Sequence, residues 1–219
     1  LNSRKLVHFF FTTLIIGGIA GLITSFFVKA EEYSLILSPF DFMELLGLVV
    51  FFIGIGFVFS MISQTGFFAY LFINRFGLSI FRSYWSTIQI VLVAFVVFDL
   101  IYFPYKATQG TVSIFWYILM SFAILAYGWF ISEVKAQETN RSAFAPALFL
   151  MVVMTTLEWI PGLQTEGTDY AWLMIIPLLA CNTYQLLALH RLTKKDSAKG
   201  KQPEAKQPAR KKKAGMNRA

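Results

Sequence analysis

Cysteine and histidine are nearly missing from this sequence. Cys181 stands alone, and His8 and His190 sit near opposite ends of the apolar region. One cysteine excludes an intrachain disulfide and any metal site built on paired thiolates. Neither histidine has a cysteine, a second histidine or a carboxylate at ligand spacing, so no metal is expected, nor any other cofactor. Charge is scarce too, at 14% of residues against 57% hydrophobic, which excludes an ordinary water-soluble globular domain. Also lacking are an HExxH pair, a nucleophile-elbow serine, a glycine-rich phosphate loop and a GxGxxG turn. Nothing in the chain argues for an enzyme, and the inverted repeats that mark many transporters are not visible.

What fills the sequence instead is a series of six apolar stretches, at about 7–28, 42–63, 85–103, 114–131, 144–160 and 172–189. Each is about the length that crosses a bilayer as a helix. With the N-terminus inside, 17 of the 19 basic residues fall on the cytoplasmic side and only Lys29 and Lys106 fall outside. That asymmetry is what the positive-inside rule demands. The expected fold is an all-α integral membrane protein of a bacterial cell membrane. Six transmembrane helices with short loops form a bundle over 1–190, a disordered polybasic tail covers 191–219, and both termini are cytoplasmic. Leu1 is read as an initiator position decoded from a non-ATG start. The run from Leu6 to Val28 exceeds the h-region of a signal peptide, so an uncleaved first helix is expected.

Local signals refine the spans. Pro39, Asp41 and Glu44 mark the start of the second helix. Gln64, Thr65 and Gly66 interrupt the long apolar run that follows, predicting a break near Gly66 and an amphipathic piece anchored by Arg75 and Arg82. Pro104 and Pro161 are expected to close the third and fifth spans. The five tryptophans lie near span ends, as an interfacial aromatic belt would place them.

Several residues invite a functional reading. Thr13, Gly17, Gly21 and Ser25 recur in steps of four, forming a small-residue face that either packs against another span or docks a partner's helix. Asp99 is the deepest charge, costing up to about 2.5–3.5 kcal/mol at mid-membrane. It reads as a proton or cation relay, as a contact to a partner helix, or as a polar lock hydrogen-bonded within the bundle. Glu158 is expected to reach the headgroup region, where it and Asp99 could meet. With Glu31, Glu32, Glu166 and Asp169 they make the outer face acidic. Gln64, Asn182 and Gln185 read as amides bonding across helices. Asp99, Glu158 and Gln64 are the candidate functional polar residues inside the membrane, and a small transporter or channel using Asp99 and Glu158 is the alternative function.

From Arg191 the composition turns to Lys, Ala, Pro, Gln and Gly. Basic residues there, Lys194, Lys195, Arg210, Lys211, Lys212 and Lys213 among them, are expected to bind anionic lipid at about 1 kcal/mol per residue close to the surface. An acidic protein surface or RNA is the alternative contact for the run at Arg210–Lys213, with nucleic acid the less favoured.

Two strings, "NSRKLVHFFFTTLIIGGIAGLITSFF" and "SQTGFFAYLFINRFGLSIFRSYW", resemble the KinB-signalling pathway activation proteins of Bacillus and related spore formers. The likeness spans about residues 2–190. It implies a cell-membrane accessory that helps a KinB-like sensor histidine kinase feed the phosphorelay of sporulation, through helix contacts rather than catalysis. The resemblance carries no catalytic residues, and it leaves the oligomeric state open.

Overall fold

A computed structural model describes residues 3–37, 40–107, 109, 113–163 and 169–199. Every named element is helical. Helix α1 is Ser3–Val28, α2 Ala30–Ile36, α3 Phe42–Phe81, α4 Trp85–Ala107 and α5 Ile114–Glu138. Then come α6 (Phe144–Phe149), a π-helical turn (Leu150–Met154), α7 (Thr155–Leu163) and α8 (Asp169–Lys199). Single 3₁₀ turns at Arg82–Tyr84 and Arg141–Ala143 join α3 to α4 and lead into α6.

Among the described residues, five stretches are long and apolar enough to cross a membrane: Ser3–Val28, Phe42–Lys106, Ile114–Glu138, Arg141–Leu163 and Asp169–Leu189. The second joins two of the six expected spans. Its helix does not break at Gly66: α3 runs 40 residues from Phe42 to Phe81, about 60 Å at 1.5 Å per residue. The interruption falls at Arg82, whose φ is 49°. There Trp85 turns back onto α3, stacking on Phe81, pressing on Gly77 and donating from Nε1 to Asn74 Oδ1 at 2.8 Å.

The ends of the other helices also differ from the sequence reading. Pro104 and Pro161 lie inside α4 and α7 rather than ending them. Helix α8 continues through Lys199, so 191–199 is helical where disorder was expected. Residues 200–219, with Arg210, Lys211, Lys212 and Lys213, lie outside the described residues, as do Pro39 and Glu166 and the side chains of His190, Lys194 and Lys195. The expected start of α3 stands: Asp41 caps it, accepting from the amides of Met43 at 2.9 Å and Glu44 at 3.1 Å. Such a cap satisfies donors that the first helical turn leaves free.

Helix α1 packs along α3 and α8, while α4 and α5 pack on α6. The α6–π–α7 run lies between these groups and is the hub of the bundle. Leu150 to Met154 are all buried, as a helix hydrophobic all round must be. Thr155 donates its hydroxyl to Leu150 O, five residues back, at 3.2 Å. The extra residue of a π turn advances everything beyond it by about 100° relative to an unbroken α-helix. That shift sets which α7 side chains face α8.

The small-residue face of α1 is occupied from within the chain. A Cβ on Gly21 would come 2.8 Å from Gly56 Cα, and one on Gly17 would come 2.7 Å from Gly56 O. Ser60 donates to Thr13 O at 2.9 Å, and the hydroxyls of Ser25 and Tyr33 meet at 2.8 Å. Thr13, Gly17, Gly21 and Ser25 are all buried in this crossing. The aromatic belt is partial: Trp116, Trp129 and Trp172 are exposed, but Trp85 and Trp159 are buried. The indole N–H of each finds an acceptor inside, Trp159 on Ala171 O at 2.7 Å.

Candidate functional site

Polar side chains recur at helical spacing on three helices: Ser60, Ser63 and Gln64 on α3, Thr155 and Glu158 on α7, and Asn182 and Gln185 on α8. Intervals of three and four keep each set on one face, and the bundle turns the three faces together. Gln185 Nε2 donates to Ser63 Oγ at 2.9 Å, and Ser63 Oγ donates to Asn182 Oδ1 at 2.8 Å. Asn182 Nδ2 then donates to Thr155 Oγ1 at 2.9 Å and to Glu158 Oε2 at 2.8 Å. The Thr155 hydroxyl proton is already committed to Leu150 O. The series of donors therefore ends on the Glu158 carboxyl.

A parallel series runs toward α1. Gln64 Nε2 donates to Ser60 Oγ at 3.3 Å, Ser60 donates to Thr13 O, and Cys181 Sγ approaches the same carbonyl at 3.6 Å. Cys181 and Asn182, neighbours on α8, hold the two series side by side. Ser60 is thus the tie between α3 and α1, and Gln64 supports it from within α3.

Glu158 is 8% exposed, not at the headgroups as the sequence suggests. The π turn and Pro161 inside α7 carry the helix past the expected end, leaving the carboxyl inside the bundle. Gly66 makes room for it: a Cβ there would overlap Glu158 Oε1 and lie 2.7 Å from Cδ. The irregularity read at Gly66 is therefore a packing device and not a break. Oε1 itself has no hydrogen-bond partner, and neither do the buried Oε1 atoms of Gln64 and Gln185 or the Thr156 hydroxyl.

Asp99 is half-buried on α4 and lines a recess of about 440 Å³ with Thr156, Leu157 and Ile160 of α7. Glu158 lines a separate groove of about 540 Å³ between α3 and α7, with Met61, Thr65 and Gly66. The two acids do not meet, because α7 stands between them with Leu157 as the shared wall of both hollows. Among the described residues, no hydrogen bond or ion pair engages Asp99.

Charge elsewhere sits at the helix ends. Lys29 pairs with Glu32 at 3.1 Å and with Asp169 at 3.3 Å, tying the end of α1 to α2 and α8. Its hydrogen bond to Glu32, then that to Asp169, holds the ammonium above its ordinary range. Arg191 pairs with Glu138, and Lys135 is buried with Nζ donating to Leu186 O at 2.6 Å. Among the described residues, no group of three His, Cys, Asp or Glu side chains is placed to hold a metal. The arrangement makes and receives hydrogen bonds. It presents no nucleophile–base pair.

Sequence reasoning singled out Glu158, Asn182 and Gln185 but missed Ser63 and Thr155, which join them. The signal was available in the three-residue spacing of Thr155 with Glu158 and of Asn182 with Gln185.

No solved structure matches this chain at a significant level. A family model described as "KinB-signalling pathway activation in sporulation" matches residues 17–192. A "KinB-signaling pathway activation protein" from Bacillus subtilis (strain 168) is 38% identical over 199 residues, covering 89% of this chain and all of the relative. The family match takes in Gly17, Gly21 and Ser25 of the α1 crossing and the polar side chains from Ser60 to Gln185, so the chain belongs to the KinB-signalling pathway activation family.

Proposed function

We propose that this protein is a multi-pass membrane accessory that activates a KinB-like sensor histidine kinase pathway leading to sporulation, by helix–helix contact rather than catalysis. The observation that carries this reading is the 38% identity along the full length of a relative bearing that name. The seam fits it, since its groups are used for hydrogen bonding between helices. In this reading α3 and α4 each cross the bilayer, giving six crossings. The turn at Arg82 lies on the cytoplasmic side, both termini are inside, and the basic residues after Arg191 bind anionic lipid.

Deletion of the gene is expected to lower kinase-dependent phosphorelay output and spore yield, with restoration by the full chain. Unchanged output after deletion, in a strain that depends on that kinase, would overturn the reading. Reporter fusions after Lys5 and after Ala219 that both read cytoplasmic fit the orientation; a reporter facing outward after either residue rejects it.

A second reading, a small transporter or channel, is favoured by the two acids inside the bundle, Asp99 and Glu158. Their separation by α7 weighs against a shared pathway. The transporter reading predicts a flux in proteoliposomes that Asp99→Asn abolishes, and it falls if the wild-type protein moves no ion or solute.

A further inference from the structure

The face of α7 centred on Leu157, with Asp99 of α4 beside it, gathers three polar groups with oxygens that have no partner among the described residues. Asp99 borders the recess on one side of Leu157 together with Thr156, whose hydroxyl is buried and unpartnered. Glu158 borders the groove on the other side, with Oε1 unpartnered. Leu157 stands between them at 50% exposure. Nearby donors are already committed, because Asn182 uses its amide on Thr155 and Glu158 while the Ser63 and Thr155 hydroxyls go to Asn182 and Leu150. No lysine or arginine contacts either acid among the described residues. Acids at such depth are expensive unless paired, and the two hollows leave room for a partner to reach them.

We propose that this face docks a membrane-spanning helix of a different protein, one that carries a lysine or arginine within its span at the depth of Asp99 and Glu158. The inference rests on the membrane-accessory reading above. Charge complementarity selects the occupant: two acids flanking one apolar ridge match a basic side chain on an apolar helix. Acyl chains of lipid supply no donor. A second copy of this chain does not fit either, because its basic residues lie elsewhere. Lys135 is engaged on Leu186 O, Lys106 sits over the Tyr102 ring near the end of α4, and Lys29 is held by Glu32 and Asp169. The grooves also suit a helix, since Thr65 and Gly66 keep one floor low and Met61 offers an adaptable wall.

The test uses the full chain in its native membrane, with a photo-crosslinking residue at Leu157, at Met61, or at the control position Phe122, an exposed residue of α5. Adducts from Leu157 and Met61, but not Phe122, are expected to contain a peptide from a membrane span bearing Lys or Arg. Combining Asp99→Asn with Glu158→Gln should lower their yield about tenfold or more, as loss of about 1.4 kcal/mol of binding would. Each single substitution is read as well, and a melting curve in detergent confirms that every variant is folded. Adducts only to lipid or to a second copy, adducts whose peptide lacks a basic residue, or yields unchanged in the folded double variant would each overturn the proposal. Kinase output is recorded in the same strains. If it still needs the protein while Leu157 captures no such helix, the docking face fails and the signalling role stands. If it does not need the protein, the signalling role itself fails.

Discussion

Asn182 on α8 donates one amide proton to Glu158 Oε2 at 2.8 Å and another to Thr155 on the same helix as that carboxyl. One side chain thereby fixes α7 against α8, and its carbonyl accepts from Ser63 to hold α3 as well. Replacing it by leucine removes all three bonds and leaves a buried carboxyl with no donor. Interhelical hydrogen bonds in membranes average about 0.6 kcal/mol each, and an abandoned buried acceptor costs more. Asn182→Leu is therefore expected to destabilise by about 2–3 kcal/mol, read as a lowered melting temperature in detergent. Thr183→Val, one position on, removes only a contact with the exposed Tyr127 hydroxyl and should change little.

Gly66 and Gly54 lie on one helix, and their contrast separates packing from helix propensity. A Cβ at 66 would strike the Glu158 carboxyl, whereas one at 54 meets nothing within 4 Å. Gly66→Ala should cost about 1–3 kcal/mol through overpacking. Gly54→Ala should be neutral or stabilising by up to about 1 kcal/mol, since alanine is the better helix former. Combining Gly66→Ala with Glu158→Ala, which withdraws the obstructing side chain, is expected to recover part of the Gly66 loss. Additivity in that double-mutant cycle would contradict the contact.

The α1–α3 crossing invites a similar measurement. Gly56 sits where a Cβ would run into the backbone of Gly17 and Gly18, and backbone cannot step aside as a flexible side chain can. Gly56→Leu should force the helices apart and unfold the bundle or prevent its insertion. Ile15→Leu, on the exposed side of α1, should insert and melt like the wild type. Protease protection and melting of the two variants check this.

Much of the scaffold was legible in the sequence, and the exceptions share a physical cause. Apolar length and small-residue spacing located α1, α5 and α8 because both are local properties of one segment. The reach of α3 was misjudged because Gln64, Thr65 and Gly66 look like an interruption when no neighbour is in view. In the fold Gln64 donates to Ser60, which itself bonds α1, and Gly66 is the place where Glu158 comes close. Glu158 was misplaced for the same reason, since its burial depends on a π turn and on partners over twenty residues away. Proline was overread: inside a helix whose neighbours cover the freed carbonyls it need not terminate anything.

Lys29 gives a pH dependence of known sign. Its hydrogen bonds to Glu32 and Asp169 raise its pKa above 10.5, so the folded state favours the ammonium form. The stabilisation is complete below pH 10.5 and is lost as pH climbs through the higher folded-state value. The pair is partly exposed, which limits its worth to about 1 kcal/mol or less. Lys29→Met should lower the melting temperature slightly at pH 8, and the difference from wild type should shrink above pH 11. Salt should shrink it too, because exposed pairs are screened.

Arg82 takes φ 49° and ψ −119° between α3 and α4, a backbone region open to glycine and strained for other residues. The strain amounts to about 1–3 kcal/mol and persists because Trp85 must reach Asn74 and the flat surface over Gly77. Arg82→Gly should therefore raise the melting temperature, while Arg82→Ala, which retains the Cβ, should not. The same arginine is one of the basic residues assigned to the cytoplasmic side, so the glycine variant also weakens the topological signal there. If α3 and α4 each cross the membrane, stability in detergent should rise while the fraction correctly inserted in cells stays level or falls. A gain in both would show that the turn needs no positive charge to stay inside.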